Sequence, residues 1–100
     1  MQATINSNVV KQENISEKLD FLLGQADLST KNDVENSIVA MGGRVVKFLI
    51  ERLITLKGLQ RGIVAMSLIR IGKSSVAPLR QFAVENIEYR WMADYLLSEM

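Results

Sequence analysis

The sequence predicts an all-α fold, a short α-α superhelix of three two-helix hairpins, and three observations predict it. Apolar residues recur at three- and four-residue spacing from Ile15 onward, with no sustained strand-like alternation. Gly24, Gly42, Gly43, Gly58 and Gly72 punctuate those stretches at the points where a helix is expected to stop. The chain also aligns on itself at a fixed shift, which is the mark of a repeat.

Taken in order, residues 1–13 (MQATINSNVVKQE) are rich in Gln, Asn and Ser and lack core periodicity, so a flexible arm is expected there. A single domain is expected over 14–100, with repeats at about 14–42, 43–72 and 73–100. The first helix starts after Asn14, with Glu17 at capping-box spacing, and buries Ile15, Leu19, Leu22 and Leu23 before Gly24. The second opens at Thr30, with Asp33 three residues on, and turns Val34, Ile38 and Met41 inward before Gly42 and Gly43. Val46, Leu49, Ile50 and Leu53 mark the third, which stops at Lys57 and Gly58 with a cation near its C-terminus. A fourth is expected over 60–71 and closes at Gly72. Ser74 or Ser75 is the expected cap of the fifth, and Pro78 falls in its first turn, where no intrahelical donor is missed. The sixth spans about 88–100 with Ala93, Leu96, Leu97 and Met100 as its apolar stripe.

A shift of 30 residues places Leu19, Leu49 and Leu79 in one column, and Leu23, Leu53 and Ala83 in the next. In the second helices the same shift pairs Val34 with Val64, Ser37 with Ser67, Ile38 with Leu68, Met41 with Ile71 and Gly42 with Gly72. The last helix joins at a shift of 29, setting Arg90 on Arg61, Ala93 on Val64, Leu97 on Leu68 and Met100 on Ile71. The run RGIVAMSLIRIG ending at Gly72, followed by SSVAPL ending at Leu79, resembles the HEAT-like repeat, in particular the short version of phycobilin lyase-type proteins. The resemblance covers roughly 14–100, is best in the middle repeat, and departs from the pattern in the first, where Lys31 stands at the Arg position. It implies a HEAT-like solenoid whose second helices line a concave surface. Arg61 and Arg90 are then expected to tie adjacent helices together.

Composition excludes most chemistry. The chain has no cysteine and no histidine, which removes disulfides, thiolate and imidazole metal sites and the commonest nucleophile and base. Glu85 and Glu88, or Lys57 and Lys73, sit in no recognisable acid/base arrangement, so no enzymatic activity and no cofactor are expected. With no long uncharged apolar run and no basic-then-apolar N-terminus, a cytoplasmic protein without membrane attachment is expected.

The expected function is therefore that of a non-catalytic adaptor or scaffold that binds another protein through the concave face. The exposed positions of the second helices supply the candidate contacts: Val39, Met66, Ile69, Arg70, Trp91, Asp94 and Tyr95. Met66, Ile69, Trp91 and Tyr95 are the centre of this set, because aromatic and Met side chains dominate interaction hot spots. The competing expectation is that Trp91 and Tyr95 cover the open end of the last repeat.

Residues 1–42 carry three basic and six acidic groups, and 43–100 carry nine and five. With Met100 in a core column, this polarity suggests self-association through the C-terminal end, one copy's tail on another's head. Nucleic acid is a weaker alternative. Its candidate phosphate contacts, Arg44, Lys47, Arg52, Lys57, Arg61, Arg70, Lys73, Arg80 and Arg90, are mixed with acidic residues, and the net charge is only +1. The family resemblance adds one more alternative, an accessory of phycobilisome or bilin-lyase systems, which no residue here specifically supports.

Overall fold

A computed structural model describes residues 7–100, with side chains from Asn14 onward. The described chain is helical throughout, without a strand. It comprises α1 (Ser7–Gln25), α2 (Lys31–Val39), α3 (Val46–Thr55), α4 (Gly58–Ile71), α5 (Lys73–Glu85) and α6 (Arg90–Ser98), with 3-10 turns at Gly42–Val45 and Ile87–Tyr89. Within each pair, α1 packs on α2, α3 on α4 and α5 on α6. Between pairs, α4 lies against both α2 and α6, and α3 lies against α5. The extents are 47 × 33 × 22 Å, and the short axis is close to two helix diameters of about 10 Å each, so the molecule is two helical layers thick.

Most of the columns read from the sequence lie in the core, though Ser37 is exposed and Met41, Ile71 and Ala83 are half-buried. Leu19, Leu49 and Leu79 are fully buried, as are Leu53, Ile38, Leu68, Val64 and Ala93. Gly42 and Gly72, paired in the sequence alignment, both adopt positive φ, 68° and 77°, as does Gly58 at 60°. A side chain with a Cβ is disfavoured in that region.

Several local expectations are corrected. The first helix does not stop at Gly24 but reaches Gln25, and its backbone is already helical from Ser7. Of the flexible arm expected over 1–13, residues 1–6 and the side chains of 7–13 lie outside the described residues. Thr30 does not cap α2 with Asp33. It closes a reciprocal box with Asp27 instead: Asp27 Oδ1 accepts from the Thr30 amide at 2.9 Å, and Thr30 Oγ1 accepts from the Asp27 amide at 2.9 Å. The cause is that Asp27 also gathers the Ser29 amide and hydroxyl, which makes the tight turn one step earlier.

Ser75 is no cap. It is buried inside α5 and donates its hydroxyl to the Leu68 carbonyl at 2.9 Å, a second bond to an acceptor that already takes the Gly72 amide. Because α5 starts directly after Gly72, Pro78 sits in its second turn, where the Ser74 carbonyl loses an intrahelical donor. In α6 the inward stripe is Met92, Ala93 and Leu96, while Leu97 is half-buried and Met100 is exposed beyond the helix end. Met92, Ala93 and Leu96 fall on Ile63, Val64 and Ser67 at the same 29-residue shift, so the register of the last helix holds although two of its chosen columns do not.

Candidate functional site

The three hairpins carry formal charges of −3 (1–42), +5 (43–72) and −1 (73–100), so the basic surplus belongs to the middle hairpin and not to the rear half as a whole. Much of it is spent inside the molecule. Arg52 on α3 forms a fork on Asp20 of α1, with Nε to Oδ1 at 2.8 Å and Nη2 to Oδ2 at 3.0 Å. The same guanidinium donates to Ser16 Oγ at 2.8 Å and to the Phe48 carbonyl at 2.9 Å. In the other layer Arg70 of α4 donates to Glu35 Oε2 and Asn36 Oδ1 of α2, both at 2.9 Å. Between the layers Gln60 caps a C-terminal carbonyl of α1, donating to Leu23 O at 2.8 Å. All these donors come from the second hairpin and all the inter-hairpin acceptors from the first.

The Arg52 hydrogen bond holds the Asp20 carboxyl below its ordinary range, partly opposed by burial and helped by the arginine's charge. Asp27 is lowered as well, first by the Ser29 hydroxyl and then by the Thr30 and Ser29 amides. Arg61 ties the end of α3 to α4 by donating to the Leu56 carbonyl at 2.8 Å. Arg90, its counterpart in the last hairpin, does not tie helices together. It is exposed and reaches only Asp94, 3.6 Å away on its own helix.

The candidate contact residues separate into two surfaces. On α4 and α6, positions 62, 66 and 69 fall on 91, 95 and 98 at the 29-residue shift, so Met66 and Tyr95 occupy equivalent places on helices that pack together. Trp91 lies one turn before Tyr95. Trp91 is 64% exposed, Tyr95 59% and Met66 46%. Ile69 is half-buried, packed against the core, and Val39 is half-buried on α2. Arg70 is half-committed through its pair with Glu35. A groove of about 180 Å³ between α2 and α4 continues this surface, lined by Lys31, Asn32 and Glu35 on one side and Leu59, Gly62, Ile63 and Met66 on the other.

Asp94 belongs elsewhere. With Arg90 and Leu97 it lines a depression of about 550 Å³ on the outer side of the last hairpin, whose α5 wall Trp91 and Tyr95 do not join. Sequence reasoning missed this depression, although Val84 and Ile87, two apolar residues left out of every core column, were its signal. Glu85 and Glu88 are both exposed, and the described residues contain no cluster of three acidic side chains able to hold a metal ion. No described helix is long and apolar enough to cross a membrane. No family model matches the sequence, and neither a curated protein nor a solved structure matches it, so a functional reading rests on the chain's own residues.

Proposed function

We propose that the chain is a short HEAT-like helical stack acting as a protein-binding adaptor, and that it recognises its partner through the surface of α4 and α6 bearing Met66, Trp91 and Tyr95. The observation that carries this reading is the exposure of two aromatic side chains one turn apart on α6, next to Met66 at the equivalent place on α4. Trp and Tyr bury large areas while losing few rotamers, so a rigid helical surface presenting both is well suited to recognition without rearrangement. Met66 adds a side chain that adapts to the shape it meets. The stacked reading itself is supported by the recurrence of the leucine columns, the positive-φ glycines and the like-on-like packing of α2, α4 and α6.

The test compares wild type with the Trp91→Ala, Tyr95→Ala double variant as baits in the source lysate, after circular dichroism has shown equal helicity. A protein retained by wild type and lost by the variant supports the reading. Equal retention by both overturns it. Trp91 is the sole tryptophan, so its emission then reports binding of the purified partner without a label.

A further inference from the structure

The outer face of the α5–α6 hairpin is built as a helix-packing surface that no described element covers. Ala83, Val84, Ile87 and Leu97 supply its apolar floor, with Val84 74% exposed and Ile87 78%. Arg80, Arg90 and Asp94 stand with that floor as its charged groups. Positions 80, 83 and 84 share one face of α5, Ile87 stands in the 3-10 turn that follows it, and 90, 94 and 97 follow the spacing of one stripe along α6. The α6 stripe falls, at the 29-residue shift, on Arg61, Ala65 and Leu68 of α4. At the 30-residue shift, Arg80, Ala83 and Val84 fall on Ile50, Leu53 and Ile54 of α3. The depression is therefore the counterpart of the surface that the middle hairpin offers to the last one, with two apolar positions turned to charge, Arg80 for an isoleucine and Asp94 for an alanine, and two trimmed, Ala83 for a leucine and Val84 for an isoleucine.

Those changes disfavour another hairpin of the same kind and favour an occupant of mixed charge. We propose that this face is a two-fold interface that takes a second copy of the chain. A two-fold contact is self-complementary, so each copy's Asp94 meets an arginine of the other, and each Val84 and Ile87 is covered by its mate. Arg90 is available for this. It opens α6, where a cation opposes the helix dipole, and it stands N-terminal to its acidic neighbour, the weaker order for such a pair. The head-to-tail contact suggested by the split of charge between the two halves of the sequence is disfavoured. The last hairpin is not basic, and Asp20 and Glu35 of the first are already held by Arg52 and Arg70.

The experiment is sedimentation equilibrium of the full chain from micromolar to millimolar concentration, on wild type, Ile87→Glu, Arg90→Asp, Asp94→Arg, and an equimolar mixture of the last two. All substituted positions are exposed, and equal helicity is checked first. Wild type should show a concentration-dependent dimer, weakened at least tenfold by Ile87→Glu and by each charge reversal alone. The mixture should restore it, since one chain then carries Asp at both positions and the other Arg at both. A monomer at every concentration, or a dimer indifferent to Ile87→Glu, overturns the proposal. Failure of the mixture to restore association overturns the two-fold geometry.

Discussion

Replacing Arg52 by Ala tests whether the first hairpin is held to the second by the contacts described, and the cost can be built up group by group. The Arg52 side chain is 13% exposed and Asp20 is 64% exposed, so the carboxylate fork is a solvent-facing pair on one side only. Screening limits such a pair to about 1 kcal/mol. The bonds to Ser16 and to the Phe48 carbonyl are part-buried and add about 0.5–1 kcal/mol each, with packing of the aliphatic stem besides. The sum is about 2–3 kcal/mol, a large share of the roughly 5–15 kcal/mol available to a domain of this size. At about 4–8 °C per kcal/mol, the midpoint should fall by about 10–20 °C. Arg52→Lys keeps charge and stem but loses the fork, and should cost about 1 kcal/mol. Urea unfolding gives these values, and a double-mutant cycle with Asp20→Ala should return a coupling near 1 kcal/mol. Amide exchange should rise first in α1 and α2. A loss below about 0.5 kcal/mol for Arg52→Ala, or exchange that rises uniformly, would refute the idea that this arginine fastens one hairpin to the next.

Other expectations follow from the same contacts. Asp20 has a lowered pKa in the folded protein, so its contribution is complete above its unfolded value of about 4 and is lost as the pH falls through the lower folded value. Acid unfolding followed by circular dichroism should therefore steepen below about pH 4, and Asp20→Asn should flatten that limb. Ser67 Oγ is the buried side-chain oxygen left without a hydrogen-bond partner among the described residues, so Ser67→Ala should stabilise the fold by about 1 kcal/mol in urea, whereas Ser67→Leu should destabilise it by overpacking. Leu49→Ala and Leu68→Ala, both at fully buried positions, should each cost about 3 kcal/mol, while Met66→Ala should leave the unfolding midpoint nearly unchanged. Gly72→Ala forces a Cβ into φ 77° and ψ −120° and should cost about 2 kcal/mol, a drop in thermal midpoint that separates it from Gly62→Ala in mid-helix.

Helix order and most of the core were legible because burial follows periodicity. The leucines at 19, 49 and 79 repeat at one spacing and are fully buried each time. What was not legible depends on competition between partners. Asp27 and Thr30 won the turn that Thr30 and Asp33 were expected to build, because Asp27 gathers four donors, the amides and hydroxyls of Ser29 and Thr30. Val45 is fully buried in a 3-10 turn, which has no helical period to announce it. Gly43 shows no positive φ. A Cβ there would stand 3.2 Å from Ser74 Oγ, so close approach accounts for that glycine and not turn geometry. Among the candidate contact residues, spacing placed Met66 and Tyr95 on equivalent positions, but Asp94 was grouped with them because a list of non-core positions cannot tell two exposed faces of one helix apart. In α6 the buried stripe lies between them, with Trp91 and Tyr95 on one flank and Arg90, Asp94 and Leu97 on the other.

That division bears on how the charge should be read. A surplus of five positive charges over 43–72 would, taken alone, be a phosphate-binding stripe. Arg52, Arg61 and Arg70 are instead each committed to an acceptor within the chain, and Lys47 lies 5.0 Å from the Phe48 ring centre. The acceptors of Arg52 and Arg70 are acidic residues of the first hairpin, which accounts for its opposite sign. The placement of these pairs thus acts as an orientation device: a hairpin stacked the wrong way round would take both arginines away from their acceptors. The last hairpin receives no such ion pair from the middle one and is joined to it by apolar contacts and the Ser75 hydroxyl. Its own two signs are left on the outer face, Arg80 and Arg90 beside Asp94, where no described element of another hairpin covers them.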